Sequence, residues 1–426
     1  YNGVWDIYWS SCKEKGIAKN CEREEEMRLL FITLLGFNTF HDRGIYTDLL
    51  REFIKNGHDV YCVSPVERRT GVNTHLEENG HLLRLKIGHT QKTNIIEKGI
   101  STLLIEPQFK RAIRKYFSNV KFDLILYSTP PITFANVVQY VKKRDGAKAY
   151  LMLKDIFPQD AVDLGMMQTI GIKGFIYNFF RKKEKKLYAL SDRIGCMSQA
   201  NVDYVLQNNP EIPKEKVEIC PNSIEVCDLR LSEQERTAMC SKYGLPPDKK
   251  VFVYGGNLGK PQDVPFIINC LKRCAELTDV YFVIAGNGTD RYLLEKYMEE
   301  ETPTHVKLFE HLPKEEYDRM IACCDVGLIF LDHRFTIPNF PSRLLAYMQA
   351  GLPVLACTDR NTDIGKVIVD GGFGWWCDSQ STRVFSETVT RIVAEQIDRM
   401  REAPLNYLEN RYSVKRAYEI IMDSKC

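Results

Sequence analysis

The sequence predicts an α/β protein of two doubly wound domains that face one another across a cleft. Three observations lead there. The chain has 426 residues, too many for one compact core and suited to two domains of ordinary size. Short apolar runs alternate with helical patterns from residue 28 onward, as in a parallel sheet with crossover helices. The alternation then restarts after Cys220-Pro221-Asn222, giving a second series of similar size.

In the first series the strand candidates are 29–34, 59–64, 82–86, 124–128, 149–153, 193–197 and 217–220. Each is short and rich in apolar or β-branched residues. Between the first two, Leu49, Leu50, Phe53 and Ile54 recur at helical spacing, and Asn56-Gly57 stops that helix. The second series offers strands at 251–254, 280–285, 306–309, 326–330, 353–356 and 374–376. Helical patterns at 265–276, 291–300, 314–323 and 342–350 lie between them. The chain therefore divides into an N-terminal domain at 27–222, a C-terminal domain at 223–403, and a helical stretch at 404–426 that could pack back on the N-terminal domain. Residues 1–26 stand apart, with Trp5, Trp9 and the charged run 22–26, and read as an upstream extension with Met27 as the natural start.

The bulk numbers exclude several classes. A formal net charge of +2 provides no global field for nucleic acid, so any anion must be met by a local site. No apolar run approaches the length that spans a bilayer. The fourteen cysteines are scattered without a Cys-x-x-Cys pair, and Cys323-Cys324 has no His cluster nearby in sequence. They read as reduced structural thiols of a cytoplasmic protein, with no metal site.

In open α/β sheets ligands bind beyond the carboxyl ends of strands. The sharpest signal at such a place is Tyr254-Gly255-Gly256-Asn257-Leu258-Gly259-Lys260-Pro261-Gln262. Its glycines let backbone N–H groups approach an anion, and Lys260 supplies positive charge. Tight turns also need glycine, and the loop is no Walker A motif. The next strand ends in Ala285-Gly286-Asn287-Gly288, a second Gly-rich loop. A third element runs from Asn339-Phe340-Pro341-Ser342-Arg343-Leu344 into a helix. Ser342 reads as an N-cap or first-turn residue, and Arg343 beside free N–H groups suits a diphosphate; the plain alternative is a capped helix with a solvated arginine.

Taken in order, these three motifs resemble family 4 retaining glycosyltransferases of the GT-B fold, above all bacterial members that build capsules, O-antigens and exopolysaccharides. The resemblance covers residues 27–426 and implies two Rossmann-like domains around a cleft. It implies that Asn257, Gly259, Lys260, Ser342, Arg343 and Leu344 hold the donor diphosphate, and that Gly286, Asn287 and Gly288 border the nucleoside. It further implies a nucleotide-diphosphate sugar as donor, a UDP-sugar foremost, with no cofactor and no metal. Lys260 and Arg343 would neutralise the leaving group, a task a metal performs elsewhere. Asn222 resembles the family's signature at the interdomain hinge. Many members carry two glutamates eight positions apart around the third motif, where this chain has Pro338 and Ala346; Asp263 stands where relatives often have glycine.

On the other domain, Lys154-Asp155-Ile156-Phe157-Pro158 resembles an Asp-x-x-Pro motif that follows a central strand and faces the cleft. Asp155 is thus the candidate polar group beside the reacting sugar, with capping of its turn as the alternative. Gly44 resembles the glycine of the first βα loop, where the chain passes close to the acceptor. Residues 175–190, from Phe175 to Leu190, mix aromatics with basic residues on a helix. That pattern suits peripheral contact with an anionic membrane carrying a glycan or polyprenyl-diphosphate-linked acceptor, and equally a solvated helix face. Two other readings stay open: a silent homologue that binds nucleotide or glycan as an assembly partner, and a nucleotide-sugar epimerase of the same two-domain fold.

Overall fold

A computed structural model describes residues 26–89, 95–310 and 312–424. The extension at 1–26 lies almost wholly outside the described residues, and Met27 is the buried lead-in to the first strand.

The N-terminal sheet comprises β1 (Arg28–Ile32), β2 (Asp59–Glu67), β3 (His75–Glu77), β4 (Leu82–Ile87), β5 (Leu124–Ser128), β6 (Lys148–Leu153), β7 (Arg193–Cys196) and β8 (Val217–Ile219). Their spatial order is β3-β4-β2-β1-β5-β6-β7-β8. The C-terminal sheet comprises β9 (Lys250–Asn257), β10 (Val280–Asn287), β11 (Val306–Phe309), β12 (Val326–Phe330), β13 (Val354–Thr358) and β14 (Gly374–Asp378), ordered β11-β10-β9-β12-β13-β14. Every strand pair is parallel except β3 with β4. Helices cover both faces, so central strands such as β5, β12 and β13 are buried at every residue. Burial on both faces is why these strands read as unbroken apolar runs.

The sequence overlooks β3. It is three residues long, flanked by charge and antiparallel at the sheet edge, so pairing with β4 makes it a strand and no local pattern does. The C-terminal stretch differs too. It forms two helices, Ala403–Arg411 and Val414–Asp423, with a break at Tyr412-Ser413. Tertiary bonding sets the break: Ile224 N–H donates to Tyr412 O (3.1 Å) and Val414 N–H donates to Ile224 O (3.1 Å). The Ser413 hydroxyl then accepts from Arg416 N–H and caps the second helix.

That last helix lies on the N-terminal domain, against the helix Ile45–Lys55. Tyr418 and Ile421 are buried with Leu29, Leu50 and Phe53. The Tyr418 ring meets Phe53 edge-on at 4.9 Å, and its hydroxyl shares a 2.8 Å hydrogen bond with His58 Nε2. The chain thus crosses between the domains twice.

Each sheet reverses its strand order once near its centre, at β1/β5 and at β9/β12. These are the crevices where a doubly wound sheet takes its ligand. The linker between them is fixed at one end. The buried Asp48 carboxylate accepts from Gly44 N–H (3.1 Å), Glu225 N–H (3.0 Å) and Arg51 (2.5 Å). Gln349 of the C-terminal domain donates to Glu225 O at 2.9 Å.

Tyr418→Ala removes an aromatic anchor between chain end and domain, and large aromatic truncations in cores cost about 3–5 kcal/mol. A lowered urea midpoint with an unchanged slope is the expected result; an unchanged midpoint would show that the last helix adds nothing to stability.

Candidate active site

The loop after β9 is organised from within. Gln262 Oε1 accepts from Asn257 Nδ2 (2.9 Å) and from Gly259 N–H (3.3 Å), while the Tyr254 hydroxyl donates to Asn257 O (2.5 Å). Asn257 therefore spends its amide N–H on the loop's own shape. The loop after β10 is stitched to it by Leu258 N–H to Asn287 O and Asp290 N–H to Leu258 O, both at 2.9 Å. The two backbones approach so closely that a Cβ on Gly286 would fall 1.9 Å from Gly256 O, and one on Gly288 would fall 2.1 Å from Leu258 O. The glycines of the second loop are thus explained first by packing against the first loop. Asn287 is exposed, and its side chain accepts from Gly288 N–H.

Arg343 is brought to the same place. Its guanidinium carbon lies 4.3 Å from the centre of the Tyr254 ring. The guanidinium also passes over Gly256, where a Cβ would sit 3.2 Å from it and φ is +136°. Both the space and the backbone angle demand glycine there. Nη1 of Arg343 is buried and has no hydrogen-bond partner. A buried cationic donor left unpaired is costly, so Nη1 is a donor with a hydrogen bond still to give. Around it, the Tyr347 hydroxyl accepts from Gly255 N–H at 3.1 Å, and Tyr317 packs on Gly255. Lys260, at the mouth of the loop, is exposed and has no ion-pair partner among the described residues.

Three expectations change here. Ser342 precedes the helix Arg343–Gln349, but its side chain caps nothing. The helix is short, and its first N–H groups are partly used: Leu344 N–H reaches Pro341 O and Leu345 N–H reaches Ser342 O. The Leu344 side chain is fully buried in the domain core, so only its backbone can face the cleft. Asp263 does not oppose an anion. Its backbone is left-handed (φ 51°), which accounts for glycine being natural there, and its carboxylate caps the helix Val264–Arg273 through Phe266 N–H.

Across the cleft, Asp155 follows β6, with its N–H and carbonyl bonded to the Thr129 hydroxyl. Its side chain is open to solvent. Desolvation by neighbouring protein pushes its carboxyl up to about 6, with Lys154 opposing the shift. Asp160 is pushed up to about 7 by burial and then by the charge of Asp155. Burial brings Lys154 down to about 8, offset in part by Cys220, Cys196 and Asp155; its Nζ is enclosed without a hydrogen-bond partner. Tyr46, just after Gly44, is raised to about 12 by burial, lowered somewhat by Ser128 and raised again by Asp155. Gly44 itself is extended (φ 175°), and its N–H is held by Asp48. Asn222 is buried, with Oδ1 unpartnered.

One group of side chains among the described residues is close enough to share a cation: Asp263, Asp332 and His333. Arg334 already pairs with Asp332 through Nε (2.9 and 3.0 Å), which compensates that carboxylate. Sequence reasoning missed Tyr317 and Tyr347 as builders of the site and gave no role to Tyr254 and Gln262, the two ends of its first motif. Only Gln262, three residues after Gly259, leaves a local trace; the tyrosines meet through the fold.

Residues 45–226 match the family described as "Glycosyltransferase Family 4", and residues 235–410 match "Glycosyl transferases group 1". The chain is 21% identical over 330 residues to "Probable glycosyltransferase WbjE" of Pseudomonas aeruginosa, covering 77% of this chain and 80% of that protein. It is 22% identical over 251 residues to "Putative colanic acid biosynthesis glycosyl transferase WcaI" of Escherichia coli (strain K12), covering 58% and 60%. The crystal structure of Anabaena HepE in complex with UDP is similar in fold, with a TM-score of 0.66 and 13% identity over 93% of this chain and 99% of that one.

Proposed function

This chain is a glycosyltransferase of the two-domain GT-B build, and from that premise we propose that it moves a sugar from a UDP-sugar to a lipid-linked glycan. The reaction proceeds with retention of anomeric configuration, at the cytoplasmic face of a membrane, in the synthesis of a bacterial surface polysaccharide. The colanic acid biosynthesis in the name of WcaI supports the pathway class, and the UDP held by HepE supports the donor. One observation carries the reading: the buried, unpaired N–H of Arg343 poised over Gly256 at the carboxyl end of β9.

The chemistry follows from where charge develops. As the bond from the anomeric carbon to the diphosphate oxygen lengthens, negative charge grows on the leaving group and positive charge on the sugar. Lys260 and Arg343 offset the first. Asp155 offsets the second and orients the acceptor hydroxyl, whose oxygen attacks on the face the diphosphate leaves. The departing oxygen takes the hydroxyl proton. Ser342 adds its uncommitted hydroxyl to the diphosphate and Leu344 only its backbone; Asn257 and Gly259 serve the diphosphate by shaping the loop that carries Lys260, and Gly286, Asn287 and Gly288 form the nucleoside edge. Ala346 offers no carboxylate to the ribose, so the diphosphate bears more of the binding.

The membrane contact rests on an apolar surface. Ile170 is 79% exposed and Phe175 78%, with Met166, Ile176 and Phe179 exposed beside them. Lys182, Lys185 and Lys186 are exposed on the same helix, Gly171–Leu190. Apolar side chains next to lysines suit an anionic bilayer. Among the described residues no helix is long and apolar enough to cross a membrane.

In a thermal-shift panel of UDP, GDP, ADP, CMP and dTDP, UDP should stabilise the protein with or without magnesium. Arg343→Ala should abolish that shift while leaving the melting temperature of the free protein within a few degrees. No shift with any nucleotide would favour the silent binding partner, the reading that Ala346 supports.

Transfer should depend on ionised Asp155. Its carboxyl sits near 6, above the usual carboxylate value, so the rate should rise as pH climbs through about 6 and fall in more acid solution. Asp155→Asn should lower kcat by about 10²-fold or more at neutral pH; a variant with native kcat and the same acid limb would remove Asp155 from the mechanism.

Flotation with anionic vesicles should retain the protein, and with neutral vesicles should not. Replacing Ile170 and Phe175 together by glutamate should release it, and continued flotation would discard this surface as the contact.

A further inference from the structure

We infer that Asp163 is the latch that holds the two domains closed, a positioning residue for the glycosyl transfer proposed above, on which the inference rests. Asp163 ends the short helix Gln159–Asp163, eight residues after Asp155. Its carboxylate reaches across to the loop after β12. One oxygen accepts from Thr336 N–H (2.7 Å) and Ile337 N–H (3.3 Å), and the Thr336 hydroxyl donates to both oxygens at 2.8 and 2.9 Å. On its own side Gln159 Nε2 steadies it at 2.8 Å. Hydrogen bonds to a carboxylate are the stronger kind, and several converge here on one side chain.

The loop that Asp163 grips is bound on both sides. Leu331, Phe335 and Ile337 leave their own sheet and are buried in the core cluster of the N-terminal domain. Pro338 O accepts from Asn201 Nδ2 of the N-terminal domain at 2.7 Å. On the C-terminal side, Asn361 Nδ2 donates to Phe335 O and the Thr362 hydroxyl donates to Asn339 O. Seven residues after Thr336 comes Arg343. The latch therefore connects the loop of Asp155 to the loop that delivers Arg343.

Its place in the fold gives it that role. Lys260 and Arg343 belong to one domain and Asp155 to the other, so their mutual distance depends on closure alone. At the opposite joint, Asp48 is buried and holds the linker permanently. Thr336 is exposed, so water can compete for its bonds to Asp163, and any opening must in addition withdraw Leu331, Phe335 and Ile337 from the N-terminal core. One joint is a fixed hinge, and the other is a clasp.

The test uses the full chain with Asp163→Ala, Thr336→Val and Thr336→Ser. Asp163→Ala should lower kcat tenfold or more while keeping the native thermal shift with UDP, because the diphosphate groups sit wholly in the other domain. Small-angle scattering should show a larger maximum dimension, and amide exchange around Ile337 should quicken at least tenfold. Thr336→Ser should behave as native, since it keeps both donors. Native scattering and native exchange in Asp163→Ala would overturn the latch. Should that variant fail to fold, Thr336→Val, which removes only the hydroxyl, is judged by the same two readouts. Neither readout needs a sugar, so a failed latch is told apart from a failed reading of the reaction.

Discussion

The cleft depends on the Asp48 carboxylate. It is buried, and it holds three cationic or N–H donors that come from separate parts of the chain: the first βα loop, the helix that follows it, and the interdomain linker at Glu225. A buried carboxylate is tolerated only when its lone pairs are filled, so these three segments are locked into one arrangement. Gln349 and the Ile224 pairing with Tyr412 and Val414 then attach the second domain to the same linker. That joint ties the first βα loop, which carries Gly44, to the linker, while Leu331, Phe335 and Ile337 join the domains at a second place.

Within the C-terminal wall the governing constraint is steric. The carboxyl ends of β9 and β10 share so little space that Gly256 and Gly286 touch backbone to backbone, and Arg343 occupies what remains above Gly256. The arginine lies over the Tyr254 ring, which supports a guanidinium without satisfying all its N–H groups. This arrangement leaves positive charge and an open donor at one place. A lysine would not lie flat on the ring, and an alanine at Gly256 would displace the guanidinium.

Most of the architecture was legible in the sequence, because strands buried on both faces must be apolar throughout and β5, β12 and β13 are. Features created by distant partners were not. Strand β3 exists through β4, and the break at Tyr412-Ser413 exists through Ile224. Asp163 and Thr336 lie 173 positions apart, and no local pattern announces their meeting. The site shows the same division. Gly256, Lys260 and Arg343 stand out as chemistry on a strand-end loop or helix start, whereas Tyr317 and Tyr347 look like ordinary helical core residues until the fold turns them toward Gly255. Asp263 stands where relatives often have glycine, and the structure joins both facts: its backbone is left-handed and its carboxylate caps the helix that Val264 and Pro265 begin.

The two walls also differ in charge, and the difference suits a reaction that separates charge. On one side stand Lys260 and Arg343, with Asp263 turned away to its helix and Asp332 matched by Arg334. On the other stand Asp155, exposed yet partly desolvated by neighbouring protein, and Asp160, whose carboxyl feels its charge, with the Lys154 ammonium enclosed beside Asp155. Carboxylates kept short of water hold their protons more tightly, which is why both titrate well above the ordinary range. They are also the groups with most to gain from a cationic centre brought between the walls. A ground-state sugar carries no such charge, while a sugar losing its diphosphate does. For the transfer proposed above, an acid-rich wall opposite a cationic wall would favour the separated state over the bound donor, and excluding water from the space between would strengthen that preference.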